Sequence, residues 1–196
     1  MSKKFFQVAG MVAVLALSGC ATSGQSVQVP AAVDVSRYLP IPVNAADVVV
    51  VNAYHPPMTA PNIDHLFTEK PAEAARKLIE QQVVAAGVQD TLRVTIENAA
   101  VTRVALPTKQ SLIGIFSRQP AERLEGRMAL NFELFDPAAP DIIRGRASVT
   151  AARDKTLTND VSPAEREAAY HELTQDLTGD LAAQISKTVK GTFGRE

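Results

Sequence analysis

The sequence predicts an α+β fold in which a predominantly antiparallel sheet, in the order β-α-β-β-β-α, carries two helices on one face. Three observations lead to this prediction. Apolar and polar residues alternate without interruption over residues 124–135, as in a strand with one buried face. A capping box at residues 162–165 opens a long amphipathic segment, which is typical of a helix. The β-branched run at residues 47–52, bounded by polar residues, is typical of a short buried strand.

The first helix is predicted over residues 71–86. Pro71 suits the first turn of a helix, and Gly87 stands where a left-handed cap belongs. The apolar face of this helix consists of Ala75, Leu78, Ile79, Val83 and Ala86. A long strand is predicted over residues 92–106, with a β-bulge near residues 98–100, where the alternation is disturbed.

A hairpin is predicted from residues 124–135 and 142–151, because both segments alternate and six residues separate them. One register sets large side chains against small ones inside and places an opposite-charge pair outside. It places Phe135 opposite Ile142, Phe132 opposite Gly145, Leu130 opposite Ala147 and Glu133 opposite Arg144. The outer face of the sheet is then polar, and its carboxylates Glu125 and Glu133 have arginine neighbours, which indicates structural ion pairs.

The last helix begins at Pro163, behind the capping box of Ser162 and Glu165, and Gly191 is predicted to cap it. Its apolar stripe consists of Leu173, Leu177, Leu181, Ile185 and Val189. At about 28 residues and 1.5 Å per residue, the helix spans roughly 40 Å and can cross a whole sheet.

Composition excludes several classes of protein. The 196 residues carry a formal net charge of −1 without a basic patch, so we expect no nucleic-acid partner. With 46% hydrophobic residues the chain is typical of a globular domain. Cys20 is the only cysteine, which excludes an intramolecular disulfide. Beyond the first twenty residues we expect no membrane-spanning helix.

The beginning of the chain has the pattern of an export signal with a lipobox. Lys3 and Lys4 precede an apolar run of about thirteen residues, which is too short to span a bilayer and ends at Leu17-Ser18-Gly19-Cys20. Cleavage before Cys20 would leave 177 residues. The competing interpretation is that Cys20 is simply a small buried hydrophobic residue.

The domain boundaries follow from these patterns. Residues 1–19 form the signal peptide, and residues 20–46 comprise the lipidated cysteine and a flexible tether with three prolines. Residues 47–191 form one α+β domain, and residues 192–196 form a C-terminal tail. An edge strand near residues 27–33 is the alternative to a continuous tether.

Residues 1–20 resemble bacterial lipoprotein signals. The resemblance implies a thioether-linked diacylglycerol and an N-acyl chain such as palmitate on Cys20, and no other cofactor. Two or three acyl chains give stable anchoring, where one chain would be marginal. Ala21 stands where an aspartate is linked with inner-membrane retention, so the resemblance implies the outer membrane, with the domain on the periplasmic side.

The predicted order of elements, together with the lipobox and a proline-containing tether, resembles small outer-membrane lipoproteins of the YajG and LptE kind. The similarity covers residues 47–190 and consists of the amphipathic first helix, the middle hairpin and the last helix. Such families imply a binding or assembly role without catalysis, with an envelope protein or a lipid as partner. No family site residue can be transferred, because none of these features is a residue-level motif.

Catalysis and metal binding are not expected from the residues. The histidines His55, His65 and His171 lack the spacing of a zinc site. The sequence contains no G-x-S-x-G elbow and no glycine-rich phosphate loop. We therefore expect a protein that is not an enzyme and has no metal site.

One segment between the predicted strands points to contact with a partner or a lipid. Leu112, Ile113, Ile115 and Phe116 lie in the connection at residues 107–123. Cations flank them at Lys109, Arg118 and Arg123. Apolar side chains at an exposed loop tip favour contact with a lipid surface or a protein partner. An added short strand, or a flap over the core, is the alternative.

Two functions remain open from the sequence. The first is a non-catalytic accessory or assembly factor of an envelope complex for lipid or lipopolysaccharide transport. The alternative is a carrier that holds a lipid or another apolar ligand in a cleft between sheet and helices. An apolar cleft between these layers would favour the carrier, whereas a filled core would favour the accessory factor.

Overall fold

The computed structural model describes residues 32–107 and 118–194. The strands are β1 (Ile41–Val43), β2 (Asp47–Asn52), β3 (Val83–Ala85), β4 (Thr91–Ala105), β5 (Pro120–Asp136) and β6 (Ala139–Thr158). The helices are α1 (Pro71–Gln82) and α2 (Pro163–Phe193), and a 3₁₀ turn covers Asp64–Leu66. The main sheet has the order β2-β4-β5-β6, in which β2 is parallel to β4 and the other pairs are antiparallel. This confirms the predicted α+β class and the order of the predicted elements.

The space between the sheet and the two helices is filled by apolar side chains. The largest of these, each under 2% exposed, are Leu78, Ile79, Leu92, Ile96, Leu124, Met128, Leu130, Phe132, Leu173, Leu177, Leu181 and Ile185. Each such side chain stabilises the fold by about 1.5–3 kcal/mol relative to exposure. The predicted leucine stripe of α2 is therefore core.

The predicted bulge in the long strand is confirmed. The register of β4 against β5 shifts between Ile96 and Asn98. The amide N–H of Ala100 donates a 2.8 Å hydrogen bond to Asn98 Oδ1, which satisfies a donor beside the interruption.

The hairpin has the predicted faces but a register two residues away from the predicted one. Phe132 pairs with Ala147, and Glu133 pairs with Arg146 rather than Arg144. Irregularities on both sides of Phe135 and a tight connection from Asp136 to Ala139 set this offset. A shift of two residues leaves every side chain on its face, because the side-chain period of a strand is two.

The first described residues correct the predicted extent of the tether. Val33, Ile41, Val43 and Ala45 are buried, and β1 pairs in parallel with β3. Residues 32–46 thus belong to the folded unit, whereas residues 20–46 were predicted to be flexible. The physical reason is that alternate apolar residues of this short stretch enter the core, although prolines interrupt its pattern.

This N-terminal segment follows α2 along its length. Ala32 lines a pocket with Glu167 and His171 in the first turns of α2. A Cβ added at Gly179, further along the helix, would lie 3.3 Å from the Tyr38 hydroxyl. The segment thus runs from the start of α2 towards its end.

Two predicted local details are wrong. Helix α1 ends at Gln82 rather than at residue 86, because residues 83–85 pair with β1 as a strand. Gly87 has no positive φ and so is not a left-handed cap. A Cβ at Gly87 would lie 2.6 Å from the backbone nitrogen of Ala45, so glycine is needed there for close approach.

The capping box is confirmed, but the end of the last helix differs from the prediction. Glu165 N–H donates to Ser162 Oγ at 3.2 Å, and Ser162 N–H donates to Glu165 Oε2 at 2.8 Å. Helix α2 continues through Gly191 and ends at Phe193. The sequence predicted that the helix and the domain end at residue 191. Phe193 is buried, and its burial favours the additional residues over an earlier cap.

Strand β2 lies at an edge of the sheet, whereas the sequence predicted a buried strand. Val49 and Val51 are 41% and 38% exposed.

In residues 32–107 and 118–194, no helix combines the length and hydropathy needed to cross a membrane.

Candidate functional site

One end of the domain brings together Ala32, Pro107 and Arg118. Ala32 lies beside the first turns of α2. Leu106 N–H bonds to Ala121 O, so the chain before Pro107 and after Arg118 is held at the same end of the sheet. Arg118 in turn pairs with Asp160, just before α2. We call this region the exit end, and its contacts on α2 span about 17 Å along the helix axis.

A pocket of about 220 Å³ lies at the exit end between α1, α2 and Ala32. Its floor includes Phe67 and Tyr170, whose rings stack with centroids 4.3 Å apart and planes 6° apart. Its polar lining consists of Thr68, Glu69, Glu73, Lys77, Glu167, His171 and Thr174. The pocket is thus small, with an aromatic floor and a charged rim.

Glu69 binds both the N-terminal segment and α1. Val33 N–H donates a 2.5 Å hydrogen bond to Glu69 Oε2, and Lys77 Nζ lies 2.6 Å from Glu69 Oε1. The Glu69 side chain is 12% exposed. A carboxylate with both oxygens bonded and little contact with water is a firm attachment point, since charge-assisted hydrogen bonds are the strong ones.

A second pocket at the exit end, of about 510 Å³, includes Arg103, Glu122 and Arg166. Arg166 pairs with Glu122, and Arg103 Nε lies 3.8 Å from the same carboxylate. Burial opposes the charged form of Arg166, but hydrogen bonds to Glu122 and Tyr170 raise its pKa above the ordinary value. This pocket therefore contains a fixed ion-pair network.

The arginines that flank residues 108–117 are neutralised locally. Arg118 Nε lies 2.8 Å from Asp160 Oδ2, and Arg123 lies 2.5 Å from Glu125 Oε1. A hydrogen bond from Thr158 and the pairing with Arg118 hold the pKa of Asp160 below its usual range. The cationic flanks predicted from the sequence are thus ion-paired at Arg118 and Arg123.

The site residues predicted from the sequence fall outside the described part of the chain. This holds for Cys20 and for the four apolar residues Leu112, Ile113, Ile115 and Phe116. Lys109 is also outside it. What the structure contributes is the position of the residues that flank them.

The described residues hold no group of three His, Cys, Asp or Glu side chains that fits a metal ion. His55 is exposed, whereas His65 and His171 are half-buried on separate elements. The absence of catalysis stays a prediction from the sequence.

One buried polar cluster, formed by Tyr54 and Asp64, was not predicted from the sequence. Asp64 is 3% exposed, and within the described chain neither its Oδ1 nor the Tyr54 hydroxyl has a hydrogen-bond partner. Burial and the neighbouring Asp64 charge raise the pKa of Tyr54 to about 12. The segment that contains Tyr54 and Asp64 has no helical or strand periodicity, so its sequence predicts a loop.

No protein-family model matches the sequence, and no curated protein matches it significantly. Among solved structures, a minor lipoprotein from Acinetobacter baumannii is 14% identical over 79% of this chain and 99% of that one, with a TM-score of 0.40. Rare lipoprotein B from Shewanella oneidensis is 11% identical over 72% and 94%, with a TM-score of 0.41. An uncharacterized lipoprotein B from Nitrosomonas europaea is 11% identical over 79% and 94%, with a TM-score of 0.39. At these identities and TM-scores, the similarities assign the chain to no family.

Proposed function

We propose that the chain is a non-catalytic lipoprotein of the outer membrane, anchored through Cys20 and facing the periplasm. In this proposal it serves as an accessory or assembly factor of an envelope complex for lipid or lipopolysaccharide transport. The observation that carries the proposal is the lipobox, in which the only cysteine follows a basic start and a short apolar run. The covalent diacylglycerol and N-acyl chain on Cys20 are its only cofactors.

The position of Ala32 shortens the distance between the domain and its anchor. Twelve residue steps separate Cys20 from Ala32. At about 3.3–3.6 Å per extended residue they reach about 40 Å at most. A tether that continued to residue 46 would reach roughly twice as far. The exit end therefore works close to the membrane that holds the lipid.

The apolar segment is flanked by residues of the exit end. Pro107 and Arg118, its nearest described neighbours, are at the exit end, as is Ala32. We take Leu112, Ile113, Ile115 and Phe116 as the residues that contact the lipid surface or an envelope protein partner there. Apolar side chains supply the attraction, because the nearby arginines Arg118 and Arg123 already have carboxylate partners.

The filled core favours the accessory factor over a ligand carrier. A carrier needs an apolar cleft of several hundred cubic ångströms that encloses its ligand. Between the sheet and the helices this volume is taken up by side chains that are almost completely buried. The pocket beside Ala32 has about 220 Å³ and a charged rim, which suits neither an acyl chain nor a large apolar ligand.

Photo-crosslinking in cells tests the proposed contact. A photoreactive residue at Leu112 or Phe116 should capture an envelope protein or a lipid, and mass spectrometry should identify it. Val88 is the matched control, because it is 87% exposed. It precedes β4 in the chain and so lies at the opposite end of that strand from the exit end. Capture from Val88 alone, or no capture at either position, would overturn the proposed contact.

Metabolic labelling with palmitate tests the anchor separately. Labelled palmitate should enter the wild-type protein and be absent from the Cys20→Ala variant. Palmitate on the variant would place the acyl chain at another residue.

A further inference from the structure

In residues 32–107 and 118–194, no strand pairs with the outer edge of β6. It has 20 residues and forms the last strand of the order β2-β4-β5-β6. In the described part of the chain, β5 is its only strand neighbour. At about 3.3 Å per residue, this edge is roughly 66 Å long. Alternate backbone N–H and C=O groups along it are available to another strand.

The middle of this edge lacks the features that protect edges in natural sheets. Proline, bulges and charged side chains are the usual protection. The register of β6 against β5 is continuous from Gly145 to Leu157, and the strand's only proline is Pro140. The exposed side chains in the middle are small and uncharged, namely Ser148, Thr150 and Ala152. This middle stretch is therefore suited to pairing.

We propose that β6 pairs antiparallel with β6 of a second copy of this chain, joining two sheets into one of eight strands. The twofold axis passes beside Thr150, which faces Thr150 of the second copy. Ser148 then faces Ala152 of the second copy, and Arg146 faces its Asp154. Such a contact is self-complementary and closed, as in most homodimers.

Charge favours this register over its neighbours. Asp154 is exposed and forms no ion pair with any described residue, and Arg146 is 63% exposed beside its bond to Glu133. The proposed register makes two symmetric Arg146–Asp154 pairs. A register shifted by two would instead place Arg144 opposite Asp154. Arg144 already pairs with Asp90 and Asp136, so a further pair with Asp154 would stabilise the contact less.

The other face of the strand is complementary in size. In the proposed register, Gly145 faces Lys155 of the second copy, and Ala147 faces its Arg153. Both long side chains lie on the helix side, where Lys155 pairs with Glu172 and Arg153 with Asp180. Small residues opposite long ones leave space for these ion pairs. Because the proposed pairing uses only residues of β6, it does not depend on lipidation or on the proposed function.

Disulfide trapping tests the register. In a full-length Cys20→Ala background, Thr150→Cys should give a covalent dimer on oxidation, because residues beside the axis face their own copies. Ser148→Cys and Ala152→Cys are matched controls, equally exposed on the same strand. Each alone should stay monomeric, and their mixture should form a dimer. Equal crosslinking of all three single variants would overturn the register.

Molecular mass tests the dimer without a disulfide. Light scattering on the Cys20→Ala protein should give twice the monomer mass, and Thr150→Arg should give the monomer mass with an unchanged melting temperature. A monomer mass at every concentration, together with no Thr150→Cys dimer, would overturn the proposal. Crosslinking of Thr150→Cys in cells to a different protein would also overturn it, since the edge would then serve another partner.

Discussion

The backbone N–H of Val33 lies 2.5 Å from Glu69 Oε2, so the first buried residue of the described chain is tied to the loop before α1. The second oxygen of this carboxylate bonds to Lys77 on α1. One glutamate thus joins the N-terminal segment to a helix that packs on the sheet. It therefore fixes the position of Val33 relative to α1.

The change Glu69→Ala should loosen this attachment. Loss of charge-assisted hydrogen bonds at a mostly buried carboxylate should lower the free energy of unfolding by about 1.5–3 kcal/mol. Hydrogen exchange should also become faster in residues 33–40. Glu73→Ala is the control, because Glu73 is 57% exposed and lies 3.8 Å from Lys70. If both changes lowered the free energy of unfolding equally, the hydrogen bond between Val33 and Glu69 would not be a special source of stability.

Gly126 should not tolerate a side chain. A Cβ at Gly126 would lie 2.5 Å from Leu177 Cδ1 of α2, which is fully buried. Gly126→Ala should therefore cost about 1–3 kcal/mol in denaturant unfolding. Gly191→Ala should instead stabilise by about 0.5–1 kcal/mol, because nothing lies within 4 Å of its added Cβ and the site is within a helix. A neutral Gly126→Ala would mean that α2 does not pack at this distance.

The hairpin shows what the sequence could and could not predict. Alternation over residues 124–135 assigned each side chain to its face, and the structure confirms these faces. The partner of each residue could not be settled, because registers two residues apart keep the same faces. The bulges beside Phe135 that choose between them have no sequence pattern of their own.

Long-range pairing explains the other differences. Ile41, Pro42 and Val43 are too few to show a period, and their strand exists only because β3 lies beside it. The same pairing ended α1 early, although Val83 and Ala86 continue its apolar face. The apolar segment and the lipobox were predicted from the sequence. The position of Ala32 and Arg118 at one end of the domain could not be predicted, because it depends on the path of residues 32–43 along α2.

Glu133 lies between two arginines of neighbouring strands. Arg93 Nη2 lies 2.7 Å from its Oε2, and Arg146 Nη2 lies 2.8 Å from its Oε1. The hydrogen bond from Arg93, followed by that from Arg146, holds the pKa of Glu133 below its ordinary value of 4.5. The carboxylate therefore stabilises the fold above about pH 4.5, and this contribution is lost as the pH falls through the folded-state pKa.

Glu133→Gln should remove this pH-dependent part of the stability. At pH 7 the variant should be less stable than the wild type by about 1–3 kcal/mol, because two charge-assisted contacts are weakened. The difference should shrink as the pH falls below 4, as urea unfolding at several pH values would show. Glu97→Gln, the same change at an exposed position on β4, is the control. A constant difference between Glu133→Gln and the wild type at all pH values would contradict the assignment.

The most direct test of the proposed function is the intact mass of the protein extracted from cell membranes. The proposal predicts a chain that begins at Cys20, with 177 residues and the added mass of a diacylglycerol and an N-acyl chain. A protein that retains residues 1–19, or that carries an unmodified Cys20, would contradict it.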